Sequence, residues 1–66
     1  MTRDDAKLII AFANCDMNAS RTANAVYLHR NTLLYHFYKI EKATGLNPRR
    51  FYDLIDLVRM ANSVLK

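Results

Sequence analysis

The chain has 66 residues, of which 52% are hydrophobic, with ten Lys or Arg against six Asp or Glu and a formal charge of +4. That is one domain, residues 1–66, near the lower size at which a single core sustains a fold, and it is too apolar for a disordered segment. No apolar run approaches the roughly eighteen residues of a membrane span, there is no signal-peptide pattern, and the single Cys15 excludes an internal disulfide and suits a reducing cytosol. Cys15 reads as a small buried or half-buried apolar residue. The charge is unevenly spread. Between Ser20 and Arg50 six basic residues face one acid, Glu41, so a polyanionic partner is expected at the middle of the chain.

One Gly, one Pro and no sustained period-two alternation leave little room for strands; the expectation is an all-α domain of four helices. The first starts near Arg3 with Thr2 as its cap and Asp4 and Asp5 in the first turn, where the helix dipole favours negative charge. Leu8, Ile9, Phe12 and Ala13 form its inward face, and Ile10 points away. It frays around Asn14 to Met17. Asn18 then caps a short helix over about 19–26, with Ala23 and Val26 inward and Ala23 small enough for a close helix crossing. Tyr27 and Leu28 make a turn, with Leu28 plugging the core. Many such turns place Gly four residues after the small Ala, for its positive φ; here that position is Tyr27, which is either strained or part of a different turn.

His29 caps the third helix, expected over about 30–43 and stopped by Gly45, the residue suited to a left-handed helix end. Leu33, Phe37, Ile40 and Thr44 form a narrow apolar keel. Asn31, Leu34, Tyr35, Tyr38 and Lys42 lie on the opposite face, which carries the amide, phenol and ammonium groups that reach base edges and phosphates. A short helix, a tight turn and a longer donor-rich helix form a helix–turn–helix, with the longer helix as the candidate reader of the major groove. The last helix starts at Pro48, with Asn47 as cap, or at Phe51, and runs to about Leu65. Its apolar residues cover an arc of roughly 220°, about twice what one core face needs. Leu54, Val58, Ala61 and Leu65 suffice for the core. Leu57, Met60 and Val64 are then surplus, either as ordinary surface apolar residues or, the reading preferred here, as a contact with a second subunit or another domain.

The run Ser20-Arg21-Thr22-Ala23, then His29-Arg30-Asn31-Thr32-Leu33, then Tyr35, Ile40-Glu41 and Thr44-Gly45-Leu46 resembles the C-terminal helix–turn–helix domain of the PucR/CdaR family, bacterial transcription regulators of purine and sugar-diacid catabolism. The resemblance spans about Leu8 to Leu65, and a more distant one is to the DNA-binding end of Fis-type proteins. It implies a Fis-like four-helix domain that ends a longer chain, with a ligand-sensing part upstream and a regulator acting as a dimer or larger assembly. Where the family commonly has basic residues in the recognition helix, this chain has Leu34, His36 and Tyr38.

The expected function is sequence-specific binding of double-stranded DNA in the bacterial cytoplasm, at the nucleoid. Arg30 and Asn31 open the recognition helix, and these side chains can pair bidentately with guanine and adenine edges. Thr32 and the first helical amides are expected at phosphate, as are Arg21 and Thr22 early in the supporting helix. Lys39, Lys42, Arg49 and Arg50 are candidate backbone contacts, Leu34 and Tyr35 candidate contacts on the reading face. His29 divides between capping and base reading, and His36 reads as structural. No residues fall at zinc-site spacing, no nucleophile accompanies a carboxylate pair, and there is no glycine-rich phosphate loop, so neither catalysis nor a cofactor is expected. The alternative is a helical protein–protein module whose basic charge is incidental, fed by the surplus apolar face of the last helix.

Overall fold

The computed structural model describes residues 1–66 and holds four helices: α1 (Arg3–Asn14), α2 (Ala19–Ala25), α3 (Arg30–Thr44) and α4 (Phe51–Leu65). Each boundary has a local cause. Thr2 and Asp5 form a reciprocal capping box at the start of α1, the Asp5 amide donating to Thr2 Oγ1 at 3.0 Å. Asn18 Oδ1 accepts from the Arg21 amide at 3.0 Å to start α2, which stops at Ala25 with Val26 as its C-cap. Gly45 ends α3 at φ +77°. Pro48 does not open α4 but sits buried in the turn before it. There Asn47 Oδ1 accepts from the Arg49 amide at 2.9 Å, and Asp53, in the first turn of α4, accepts from the Asn47 amide at 3.0 Å.

The two tight ends, of α1 and of α2, are built alike. Met17 donates its amide to Phe12 O at 2.9 Å and Asp16 donates to Ala13 O at 3.2 Å; Leu28 donates to Ala23 O at 2.9 Å and Tyr27 to Asn24 O at 3.3 Å. These are the paired bonds of the Schellman motif, which requires a left-handed residue just past the helix and an apolar residue after it. The apolar residues are Met17 and Leu28, both packed against the core. The left-handed residues are Asp16 (φ 58°) and Tyr27 (φ 59°), and Met17 also has a positive φ of 61°. Tyr27 therefore takes the conformation that Gly usually supplies in this turn, and its side chain is 95% exposed. The turn is of the expected kind, and Tyr27 bears its steric cost with no packing in return.

The core is a cluster of eleven buried apolar residues. Its centre is an edge-to-face contact between Phe12 of α1 and Phe37 of α3, with ring centroids 4.8 Å apart. Leu33 and Ile40 flank Phe37 along the keel, and Ala23 brings α2 close. Helix α4 packs on α1 alone, while α3 packs on α2 and α1. Helices α1 and α4 run antiparallel, since Arg3 Nη1 reaches Val64 O at 3.4 Å at one end and Ala13 and Met17 lie beside Phe51 and Leu54 at the other.

The buried stripe of α4 is Leu54, Leu57 and Ala61. Leu57 is fully buried, which corrects its assignment to a free contact face. Of its two companions, Val64 is half-buried against the core and Met60 is exposed. Val58 and Leu65, expected inside, are only half-buried. The helix is turned by roughly 40°, at 100° per residue, from the orientation expected of it. Its surplus apolar residues are consequently Phe51, Ile55 and Val58, on the other side.

Two stability outcomes follow from these contacts. Phe37→Ala removes half of the central aromatic pair and should cost about 3–5 kcal/mol, enough to unfold so small a domain; a melting midpoint lowered by only a degree or two contradicts this account of the core. Tyr27→Gly relieves about 1 kcal/mol of left-handed strain, partly offset by the greater freedom of Gly in the unfolded chain. It should melt at or above the parent, and Tyr27→Val, with a branched Cβ at positive φ, should melt below it. The reverse order would show that Tyr27 is held by something other than the turn.

Candidate nucleic-acid interface

The candidate interface is the outer surface of α3 together with the turn that feeds it. The turn from Val26 to His29 redirects the chain, and His29 caps α3 by accepting the Asn31 amide on Nδ1 at 3.1 Å. That acceptor role places the imidazole proton on Nε2 in the neutral ring, so His29 caps the helix with one nitrogen and keeps a donor on its exposed side. Arg30, Asn31 and Thr32 follow in the first turn, all exposed. The sequence-expected capping of His29 and the exposure needed for base or phosphate contact thus occur together.

Further along, Tyr35 and Tyr38 are about 60% and 55% exposed. Each stacks with the lysine four residues on: Lys39 Nζ lies 5.7 Å from the Tyr35 ring centroid and Lys42 Nζ 5.3 Å from that of Tyr38. At exposed sites such contacts contribute about 0.5–1 kcal/mol each. Their consequence here is positional, because two otherwise floppy ammonium groups are gathered over the helix surface beside two phenols. The pairs were not singled out from the sequence, although their i, i+4 spacing is the signal that would have found them. Leu34 is half-buried and lines a shallow depression with Tyr38, Glu41, Asn47 and Arg49. The connector after α3 thereby brings Arg49 to the edge of the same face.

The supporting helix divides differently from expectation. Arg21 is exposed, with Nη1 3.3 Å from Asp16 Oδ2, an ion pair too solvated to fix the side chain firmly. Thr22 is fully buried and donates Oγ1–H to Asn18 O at 2.7 Å. Its side chain therefore offers nothing to a phosphate, and the residue serves the packing of α2. His36 is half-buried, with Nδ1 3.7 Å from Asp5 Oδ1, tying α3 to the start of α1. Arg50 is exposed at the cap position of α4.

No three His, Cys, Asp or Glu side chains converge as a metal site would need, and Cys15 is a half-buried free thiol. No helix is long and apolar enough to cross a membrane. The exposed face of α3 bears Arg30, Lys39 and Lys42 against Glu41 alone. Such a surface has the cations to attract an anion, and it carries amide, hydroxyl and guanidinium donors along one helix, the groups that pair with base edges and phosphates.

A family model described as the PucR C-terminal helix-turn-helix domain matches residues 6–60. No curated protein and no solved structure matches the chain. The family match covers α2, the turn and α3 whole, α1 from Ala6 onward and α4 up to Met60. The chain belongs to this family, and with it to the DNA-binding parts of transcription regulators.

Proposed function

We propose, with that membership as premise, that the domain reads DNA sequence by laying α3 in the major groove. The observation that carries the reading is the exposed Arg30-Asn31-Thr32 turn at the start of α3, capped by the exposed His29. Arg30 and Asn31 are the base-reading pair. Thr32, Arg21, His29, Lys39 and Lys42 take phosphates, and Tyr35 contacts the backbone sugar or a base methyl beside Leu34. Helix α2 crosses the backbone in support, as the first helix of such motifs does. The domain serves a bacterial cytoplasmic regulator of the purine or sugar-diacid catabolism type, as the C-terminal part of a longer chain. An upstream sensory domain and a second copy of the chain are its protein partners.

The test is titration of a duplex with the domain at two salt concentrations, for the parent and for Arg30→Ala and Asn31→Ala. Phosphate neutralisation releases counterions, so affinity should fall steeply with salt. Each variant should lose about 1–3 kcal/mol on a selected site and relax preference at one base position, while binding random DNA nearly as the parent does. Affinity independent of salt contradicts DNA binding by this face. Variants that keep the parent's preference place the base readers elsewhere.

A further inference from the structure

We propose that the connector between α3 and α4 is a second contact for the sugar-phosphate backbone of duplex DNA, with Arg49 and Arg50 taking phosphates of the strand that runs along the Leu34–Tyr38–Glu41 edge of α3. The inference rests on the proposed laying of α3 in the major groove and carries the contact beyond the helix–turn–helix. The connector leaves α3 at Gly45, where a φ of +77° ends the helix. Arg49 then lines a shallow depression with Leu34, Tyr38 and Glu41, beside the middle of α3 rather than past its end. These three α3 residues are spaced four and three apart and form one edge of its outward face. A helix with its side chains is about 10–12 Å across, and the major groove is about 12 Å wide. A seated helix therefore fills the groove, and a group standing at its edge faces a phosphate strand instead of base edges.

The two arginines are free to take that role. Both are exposed, and neither has a carboxylate within ion-pair distance, Glu41 included. The backbone that carries them is held at several points. Leu46 donates its amide to Thr44 Oγ1 at 3.1 Å, and Arg50 donates its amide to Asn47 O at 3.0 Å. With the Asn47 bonds to Asp53 and Arg49 and the buried Pro48, the connector presents two consecutive guanidinium groups on a fixed turn. Little backbone freedom is then lost when a phosphate binds, so less of the contact energy is spent on ordering. Arg50 also places the contact relative to α2. The next residue, Phe51, lines the apolar groove between α1 and α4 together with Asp16, and Asp16 is the partner of Arg21. Arg21, Arg50 and Arg49 thus follow one another along one flank of the domain, from the supporting helix to the edge of α3. A DNA strand repeats its charge at every nucleotide and matches such a row.

The test compares the parent with Arg49→Gln, Arg50→Gln, the double variant and Lys66→Gln, on the selected duplex and on random duplex at several salt concentrations. Lys66→Gln removes the same charge about 22 Å away along the fifteen residues of α4. Melting curves establish that each variant folds. Each connector variant should flatten the dependence of log affinity on log salt by about one unit, and the double variant by about two. Binding to selected and random duplex should weaken by the same factor, leaving sequence preference intact. Lys66→Gln should leave the slope at the parent's value. The position of the contact is read with duplexes in which single phosphates are replaced by uncharged methylphosphonate. At one or two neighbouring positions on one strand the parent should lose affinity and the double variant should lose none. A slope changed no more than by Lys66→Gln, or equal methylphosphonate sensitivity of parent and double variant at every position, overturns the inference. The reading by α3 survives that failure if Arg30→Ala and Asn31→Ala still relax base preference. A parent whose affinity does not vary with salt overturns both.

Discussion

The edge-to-face contact of Phe12 with Phe37 is the one on which the rest depends. Among the helices α4 packs on α1, and α3 packs on α1 and α2. Helix α1 is therefore the helix that packs against both sides of the domain, and Phe12 is its largest fully buried side chain. Phe37 in turn fixes the rotation of α3. With Leu33, Phe37 and Ile40 seated on α1 and α2, the opposite face carrying Asn31, Tyr35, Tyr38 and Lys42 must point outward. The outward orientation of this proposed reading surface is thus a consequence of a core contact rather than of any interaction within the surface itself.

Around that contact the domain divides its work between two sides. One side, α2, its turn and α3, gathers exposed donors and cations, with Lys39 and Lys42 held over tyrosine rings and His29 serving as cap and donor together. The other side, α1 against α4, contributes burial and keeps an apolar groove that the domain does not fill. Tyr27, standing between α2 and α3 in a left-handed conformation, runs against a local preference, as Asp16 and Met17 do at the end of α1. The Schellman bonds on either side of it hold the conformation, and its stability cost is small against the burial of Ala23 and Leu28 that the turn makes possible.

Much of this was legible in the sequence because it was locally encoded. Thr2, Asn18, His29 and Gly45 each announce a helix boundary by chemistry that acts within a few residues, and the keel of α3 is narrow enough to have one inward orientation. The orientation of α4 was not legible. Its apolar arc is wide enough to seat several ways, so only packing against α1 decides between Val58 and Leu57, and it chose Leu57. The same limit applied to Thr22. A hydroxyl early in a supporting helix suits a phosphate, but Thr22 can equally bond the carbonyl four residues back, and the close crossing at Ala23 buries it there. The base-reading roles proposed for Arg30 and Asn31 rest on residue type and on their exposure at the start of α3.

The central claim is that the exposed stripe of α3, oriented by Phe37, is the surface that meets DNA. Backbone amide shifts of the isotopically labelled domain, followed while a specific duplex is added, test it residue by residue. The account predicts the largest changes at His29 to Thr32, Tyr35, Tyr38, Lys39 and Lys42, with Arg21 affected and the groove residues Met17, Ile55 and Val58 unchanged at fixed oligomeric state. Changes concentrated on α4, with the first turn of α3 silent, would contradict it.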